Sequence, residues 1–582
     1  MAEKSPSISV KIAQLVQEIY PELDPDILAS HIIDAFWPDE MPRRKRGRVP
    51  GNTLWSQRDA LVITYGNSII DGAFKPLDLL HDFLLRYLRG AINSVHILPF
   101  FPYTSDDGFA VSDFRAVNPQ LGDWPDINRI AGDFTLMSDL VLNHVSSQGN
   151  WFNAYRQGQA PYDKFFFEAS PDDDLSMVVR PRTTPLLQEV ETSNGPRHVW
   201  CTFSHDQIDL DFRNPEVLLE FLRIIRLHVD NGVQIIRLDA VAFLWKVVGS
   251  PSIHLPQTHA VIRLMRLLCD YAAEKIILLT ETNVPKAENL SYFGKGDEAH
   301  AIYNFPLPPL ILHAMMSGSA TYLHKWQRTM PPAPMGCAYL NFTASHDGIG
   351  MRPAEGVLPD VEKEKVIDTV RDLGGLVSMR ALPDGGQSPY ELNITFFEAM
   401  GGTFKGKDSH HFDRFICSQT IVMSLEGIPA FYIHSLLATP NDHAQVDHRG
   451  MNRAINRHRW DYPALQALLA DPQTDQARAL GALTGRLKLR GAQMAFHPNA
   501  TQFTVSLEDP RVFGVWRQSL DRRQSIFALH NVSDQAITVP TTSINMIEDE
   551  NWVDLLSSEA ITHDAPAITL APYQCRWITN RA

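Results

Sequence analysis

The apolar positions of the chain fall into three successive patterns. Between residues 8 and 37 they recur at helical spacing: Ile8, Val10, Ile12, Leu15, Val16 and Ile19, then Ile27, Leu28, Ile32 and Ile33. Positions three or four apart share one face of a helix. Pro21 and Pro25 prevent a single helix from running through, so the spacing predicts two. From about residue 59 the pattern changes to short apolar runs separated by helix-length amphipathic stretches. The runs include 61–65, 94–98, 136–142, 233–238 and 276–280. Such runs read as strands buried on both faces, the mark of a parallel sheet packed between helices. After about residue 495 the runs become short and alternating (501–506, 512–515, 525–529), which predicts an all-β domain.

These patterns predict an α/β protein: an N-terminal helical extension and linker over 1–58, a (β/α)8 TIM barrel over 59–490, and a C-terminal β domain over 495–582. Two irregular stretches interrupt the barrel, at about 146–210 and 351–400. Long loops within a compact fold are usually lids or small inserted domains. In such a barrel the active face lies at the C-terminal ends of the strands. Polar residues gather there: Asn143 and His144, Arg237 and Asp239, Glu281, His346 and Asp347.

Charge narrows the function. The 582 residues carry a net charge of −15, which disfavours nucleic acid and anionic membranes as partners. The exception is a basic run, Arg43, Arg44, Lys45, Arg46 and Arg48, which reads as a solvated linker. Five scattered cysteines with no C-x-x-C pair argue against a disulfide framework or a structural zinc. Neither a signal peptide nor an 18-residue apolar stretch is present, so a cytoplasmic location is expected. No metal and no cofactor are expected.

Three strand-end carboxylates set the candidate chemistry. Splitting a glycosidic bond with retention takes two carboxyl groups about 5–5.5 Å apart, one attacking the anomeric carbon and one protonating the leaving oxygen. Asp239 follows Arg237, whose charge favours an ionised nucleophile. Glu281 closes the next strand, where partial desolvation would raise its pKa towards that of a working acid. Asp347, after His346, could stabilise positive charge on the sugar.

The ordered segments Asp139-Leu-Val-Leu-Asn143-His144, Ile236-Arg237-Leu238-Asp239, the strand ending at Glu281, and Ser345-His346-Asp347 resemble the four signature regions of the α-amylase family, glycoside hydrolase family 13. Gln207-Ile-Asp209-Leu-Asp211 resembles its additional short motif. The resemblance implies nucleophile Asp239, acid/base Glu281 and transition-state stabiliser Asp347, with Arg237, His144 and His346 on the glucosyl unit. Asn143 resembles a calcium position of many amylases, although the sucrose phosphorylase branch generally lacks that ion.

Within the family the chain looks most similar to the sucrose phosphorylase subfamily. Leu98-Pro-Phe-Phe101 with Asp106-Asp107-Gly108-Phe109 resembles its pocket loop, which implies Asp107 on the distal glucose hydroxyls. Arg449 matches an arginine that closes that pocket. Arg182, in Arg180-Pro181-Arg182, and Tyr390 match residues that face inorganic phosphate. The chain departs at Phe243, where that subfamily has Tyr, and at Glu391, where it has Gln; the resemblance implies both at the phosphate and acceptor side of the pocket. The segments 281–285, 291–294 and 348–353 look more like the glucosylglycerate phosphorylase branch, with Arg352 placed for a glycerate carboxylate. The expected substrates are therefore a small glucoside, 2-O-α-D-glucosylglycerate first, and inorganic phosphate. Alternatives are a phosphorylase of sucrose, sucrose 6′-phosphate or glucosylglycerol, or an α-glucosidase or transglucosidase with the same triad. The sequence does not give the oligomeric state.

Overall fold

The computed structural model describes residues 7–38, 54–182, 184–381, 386–544, 546, 551–562 and 566–581. Eight parallel strands close a barrel: β1 (Leu61–Thr64), β2 (Ser94–Ile97), β3 (Thr135–Val141), β4 (Val233–Asp239), β5 (Ile277–Thr280), β6 (Ala301–Tyr303), β7 (Ala338–Asn341) and β8 (Ile428–Tyr432). Closure pairs Leu61 of β1 with Ser94 on one side and with Ala430 on the other. The apolar runs at 61–65, 94–98, 136–142, 233–238 and 276–280 become the first five strands. The last three, three to five residues long, are not among the runs singled out.

The N-terminal segment forms helices α1 (Ile8–Ile19) and α2 (Pro25–Phe36), with Pro25 at the first turn of α2, where its missing N–H is harmless. They pack on barrel helices α3 (Pro215–Asp230) and α4 (Pro256–Tyr271). Ile12, Val16, Ile32 and Phe36 join the same hydrophobic core as the barrel. Each such apolar side chain, fully buried, contributes about 1.5–3 kcal/mol. The extension and the barrel therefore share one core. The basic run 43–48 lies outside the described residues.

Both irregular stretches hold small structures of their own. The first carries a hairpin (Leu187–Thr192 with Gly195–Trp200), and its strand Gln207–Asp209 pairs with His144–Ser146. The second folds a helix (Asp360–Asp372) and a three-stranded antiparallel sheet of Ile349–Gly350, Gln387–Asn393 and Leu376–Ala381. At the C-terminus a six-stranded sheet alternates by residue. Phe513, Val515, Ile526, Ala528 and Trp577 face the barrel, whereas Val512, Phe527, Leu529 and Ile578 face a second core. On the barrel-facing side Cys575 meets Cys417 with 3.5 Å between sulfurs, both thiols free. A separation of 158 residues in sequence gave no sign of that contact. Among the described residues no helix is long and apolar enough to cross a membrane.

Candidate active site

Strand pairing builds the centre of the cleft. Arg237 and Asp239 lie two residues apart on β4 and so point to the same face. Asp139 of β3 lies directly across from Arg237. The buried Arg237 guanidinium donates to Asp139 and, at 2.6 Å, to Asp239. His96 holds the other oxygen of Asp139 at 2.6 Å. Ala240, immediately after the strand, adopts a left-handed conformation (φ 50°) and its N–H donates to Glu281 Oε2 at 3.2 Å. That turn costs an alanine about 1–2 kcal/mol.

Burial pushes the carboxyls of both Asp239 and Glu281 above their ordinary range; Arg237 opposes the rise at each, and the Glu281 charge adds to it at Asp239. The two titrate as a pair. Asp239 receives the guanidinium directly, whereas Glu281 receives a neutral amide. At Asp347 burial is outweighed by Arg453, His346 and Arg457, and the carboxyl stays ionised. Arg453 lies 2.6 Å from it. His346 is kept neutral by burial, which takes it down to about 3, and stacks flat on Phe109 at 4.9 Å. Burial also lowers His144, whose Nε2 lies 3.1 Å from the Phe109 carbonyl oxygen.

The pocket loop behaves differently from the expectation. Asp106 and Asp107 are both left-handed (φ 53° and 49°), so their side chains diverge. Gly108 must be glycine: at φ +116°, a Cβ there would sit 2.8 Å from the Pro99 carbonyl oxygen. Asp107 does not line the cleft. Its carboxylate is held by Arg449 and, at 2.5 Å, by Arg457, and it lines a neighbouring cavity together with Arg449. The acid of this loop that lines the cleft is Asp106. The acid lining this end of the cleft is therefore Asp106, with the Asp107–Arg449 pair behind it.

The outer half of the cleft is cationic. Arg180 and Arg182 reach it from the first insertion, and Arg352 and Arg380 from the second, beside Tyr390, Phe243 and Asn283. Burial raises the Tyr390 phenol and Arg182 opposes it. Glu391 is 2 % exposed and does not line the cleft. It grips Arg453 through both oxygens, at 2.9 and 3.0 Å. Glu391 thereby meets the same arginine that neutralises Asp347. Sequence reasoning missed Asp106, Arg453 and Arg457. Arg453 and Arg457 stand four and eight residues after Arg449, but nothing in that spacing says which carboxylates they meet.

A family model described as alpha amylase, catalytic domain, matches residues 84–347. The glucosylglycerate phosphorylase of Spirochaeta thermophila is 41 % identical over 579 residues, covering 98 % of each chain. That of Allomeiothermus silvanus is 40 % identical and covers all of both. The chain belongs to the α-amylase family. Its fold also matches the crystal structure of sucrose 6F-phosphate phosphorylase from Thermoanaerobacter thermosaccharolyticum, with a TM-score of 0.71, 23 % identity, and coverage of 87 % of this chain and 98 % of that one.

For an α-amylase family member, the surroundings of Asn143 are informative. Lys246 is 2 % exposed, and its ammonium lies 2.8 Å from Asn143 Oδ1 and 3.0 Å from Asp209. Asp209 also accepts from Thr202 and from Asn143. A protein cation thus sits at the Asn143 position, and the charge of Asp209 is met without an ion. Removing one partner of a buried pair costs about 3–5 kcal/mol, because the other charge is stranded. Lys246→Met is therefore expected to lower the thermal unfolding midpoint clearly, and an unchanged midpoint would show that the ammonium does not hold the site together.

Proposed function

We propose that the chain is a retaining glucosylglycerate phosphorylase, converting 2-O-α-D-glucosylglycerate and inorganic phosphate reversibly to α-D-glucose 1-phosphate and D-glycerate. The observation that carries this reading is the split cleft. Strand-end carboxylates line it, where a sugar cation must be stabilised, and four guanidiniums reach it from the two insertions, Arg180, Arg182, Arg352 and Arg380. Planar guanidinium forks suit phosphate and carboxylate oxygens, and both co-substrates are anions. The relatives named above carry the same activity in their names.

In the first step a carboxylate oxygen of Asp239 bonds to the anomeric carbon as the glycosidic C–O bond breaks. Glu281 gives its proton to the departing glycerate oxygen, leaving a β-glucosyl ester on Asp239. Phosphate then attacks the same carbon from the vacated face. The ester bond breaks, Asp239 is restored as a carboxylate, and Glu281 recovers a proton from the incoming phosphate. Two inversions give net retention. Asp347, kept ionised by Arg453, faces the positive charge of both transition states. Arg182 and Tyr390 hold phosphate, and Arg352 the glycerate carboxylate. Phosphate needs little activation, so its advantage over water rests on positioning.

The test is phosphate release from α-glucose 1-phosphate with D-glycerate, glycerol, fructose, fructose 6-phosphate or water as acceptor. D-Glycerate is expected to be preferred strongly. Another preferred acceptor would keep the reaction and change the substrate, and release to water alone would make the enzyme a hydrolase. Arg182→Ala is expected to reduce phosphate-dependent turnover about tenfold or more while sparing turnover to water, the scale of one lost charge-assisted contact of about 1.5–3 kcal/mol. Equal losses in both would remove Arg182 from the phosphate site.

A further inference from the structure

Three neighbouring strands set one row of buried side chains across the barrel: His96 on β2, Asp139 on β3 and Arg237 on β4. His96 lies across from Met137, so Asp139, two residues on, is its diagonal neighbour on the same face. Contact follows register. His96 Nε2 lies 2.6 Å from Asp139 Oδ2, Asp139 Oδ1 accepts from Arg237 Nη1, and the same Nη1 donates to Asp239 Oδ1 at 2.6 Å. All three side chains of the row are at most 3 % exposed. His96 does not line the cleft.

The proton on His96 can be placed. Burial lowers its pKa and outweighs the pull of Asp139, so the ring is neutral and carries one N–H. Nδ1 is buried with no hydrogen-bonding partner among the described residues. The Asp139 carboxylate can only accept, so the N–H sits on Nε2 and is donated to it. That bond decides how Asp139 holds Arg237. A free carboxylate tends to meet a guanidinium through both oxygens, fork to fork. Here Oδ2 is taken by His96, Asp139 offers Arg237 only Oδ1, and the Arg237 Nε is left without a partner. An arginine gripped by both oxygens would be drawn onto Asp139 and away from Asp239.

We propose that His96 is a positioning residue for the nucleophile: by occupying one oxygen of Asp139 it keeps the Arg237 guanidinium shared between Asp139 and Asp239. The inference rests on Asp239 being the nucleophile, as argued above. The charged groups facing Asp239 are Arg237 beside it, Asp139 from β3 and Glu281 after β5; those facing His96 are Asp139 and Arg237. Loss of His96 therefore reaches Asp239 only through Asp139 and Arg237. It leaves Asp239 with less of the guanidinium and holding its proton to higher pH.

The test compares His96→Leu, which has no donor, with His96→Gln, whose amide nitrogen can take the place of Nε2. Fluoride release from α-glucosyl fluoride is the assay, because that leaving group needs no proton and the attack of Asp239 on it does not depend on the acceptor. His96→Leu is expected to lower kcat/KM by about 10–100-fold, the scale of losing an outer support of a reacting centre. The acid limb of its pH profile, which reports ionisation of the nucleophile in the free enzyme, should move up by about one pH unit. His96→Gln should recover most of the rate and return the limb. Damage to packing alone would lower the rate evenly across pH and leave the limb in place; that result, unchanged turnover, or a Gln variant no better than Leu would each overturn the inference. Should circular dichroism show His96→Leu to fold poorly, His96→Asn, whose shorter amide stops short of Asp139, replaces it with the same expectations. Asp239→Ala keeps the two readings apart. Turnover retained there removes the nucleophile, whereas its loss there beside a normal His96→Leu removes only the role of His96.

Discussion

Replacing Asp239 with alanine is expected to lower phosphorolysis by about 10⁴-fold or more, the scale seen when a nucleophile is deleted from a covalent mechanism. The expectation follows from where the charge sits. Arg237 is wedged between Asp139 and Asp239, so the carboxylate is oriented before any substrate arrives. Alanine removes the attacking oxygen and leaves Arg237 paired with Asp139, whose carboxyl, despite burial, is held down to about 2 by Arg237 and His96. One partner of the guanidinium survives, so the fold should survive too. Circular dichroism and the thermal midpoint check the fold, and the glucose 1-phosphate assay checks the rate. Turnover within tenfold of the wild type would end the assignment of Asp239 as nucleophile.

Glu281→Gln should slow transfer to and from glycerate by about 10²–10⁴-fold, the usual range for one general acid–base group. It should also change the pH profile. Burial raises the Glu281 carboxyl above its usual value, and departure of glycerate needs its protonated form. Activity of the wild type is therefore present below that raised pKa and falls as pH rises through it. In Glu281→Gln this alkaline limb should vanish. A leaving group that needs no proton separates acid catalysis from mere positioning: with α-glucosyl fluoride the first step should be nearly spared. Equal losses with fluoride and with glycerate, or an unchanged limb, would show that Glu281 is not the acid.

The placement of the central carboxylates could be read from the sequence because parallel strands place their last residues on one face of a barrel. Asp239 and Glu281 follow directly from that rule, and the cross-strand Asp139 lay within a motif already singled out. What stayed hidden depends on loops. Asp106 and Asp107 are chemically identical neighbours, and only the two left-handed backbone turns decide which faces the cleft. Glu391 had the chemistry of a ligand for substrate, yet a bidentate contact with Arg453 consumes it. Lys246 stands seven residues after the nucleophile, with no local pattern to distinguish it from a surface lysine. In the fold, three of eight strands went unread: Ala301–Tyr303, Ala338–Asn341 and Ile428–Tyr432.

The helical extension has a consequence for biosynthesis. Helices α1 and α2 leave the ribosome before the surfaces that cover them, α3 and α4, which span Pro215–Asp230 and Pro256–Tyr271. At about 5–20 residues per second, the apolar faces carrying Ile12, Val16 and Phe36 remain uncovered for roughly ten to fifty seconds. Throughout that interval the nascent chain presents amphipathic helices of the kind that chaperones hold. The first thirty-odd residues can therefore set how much of the enzyme reaches its folded state, independently of any part they play once it is there.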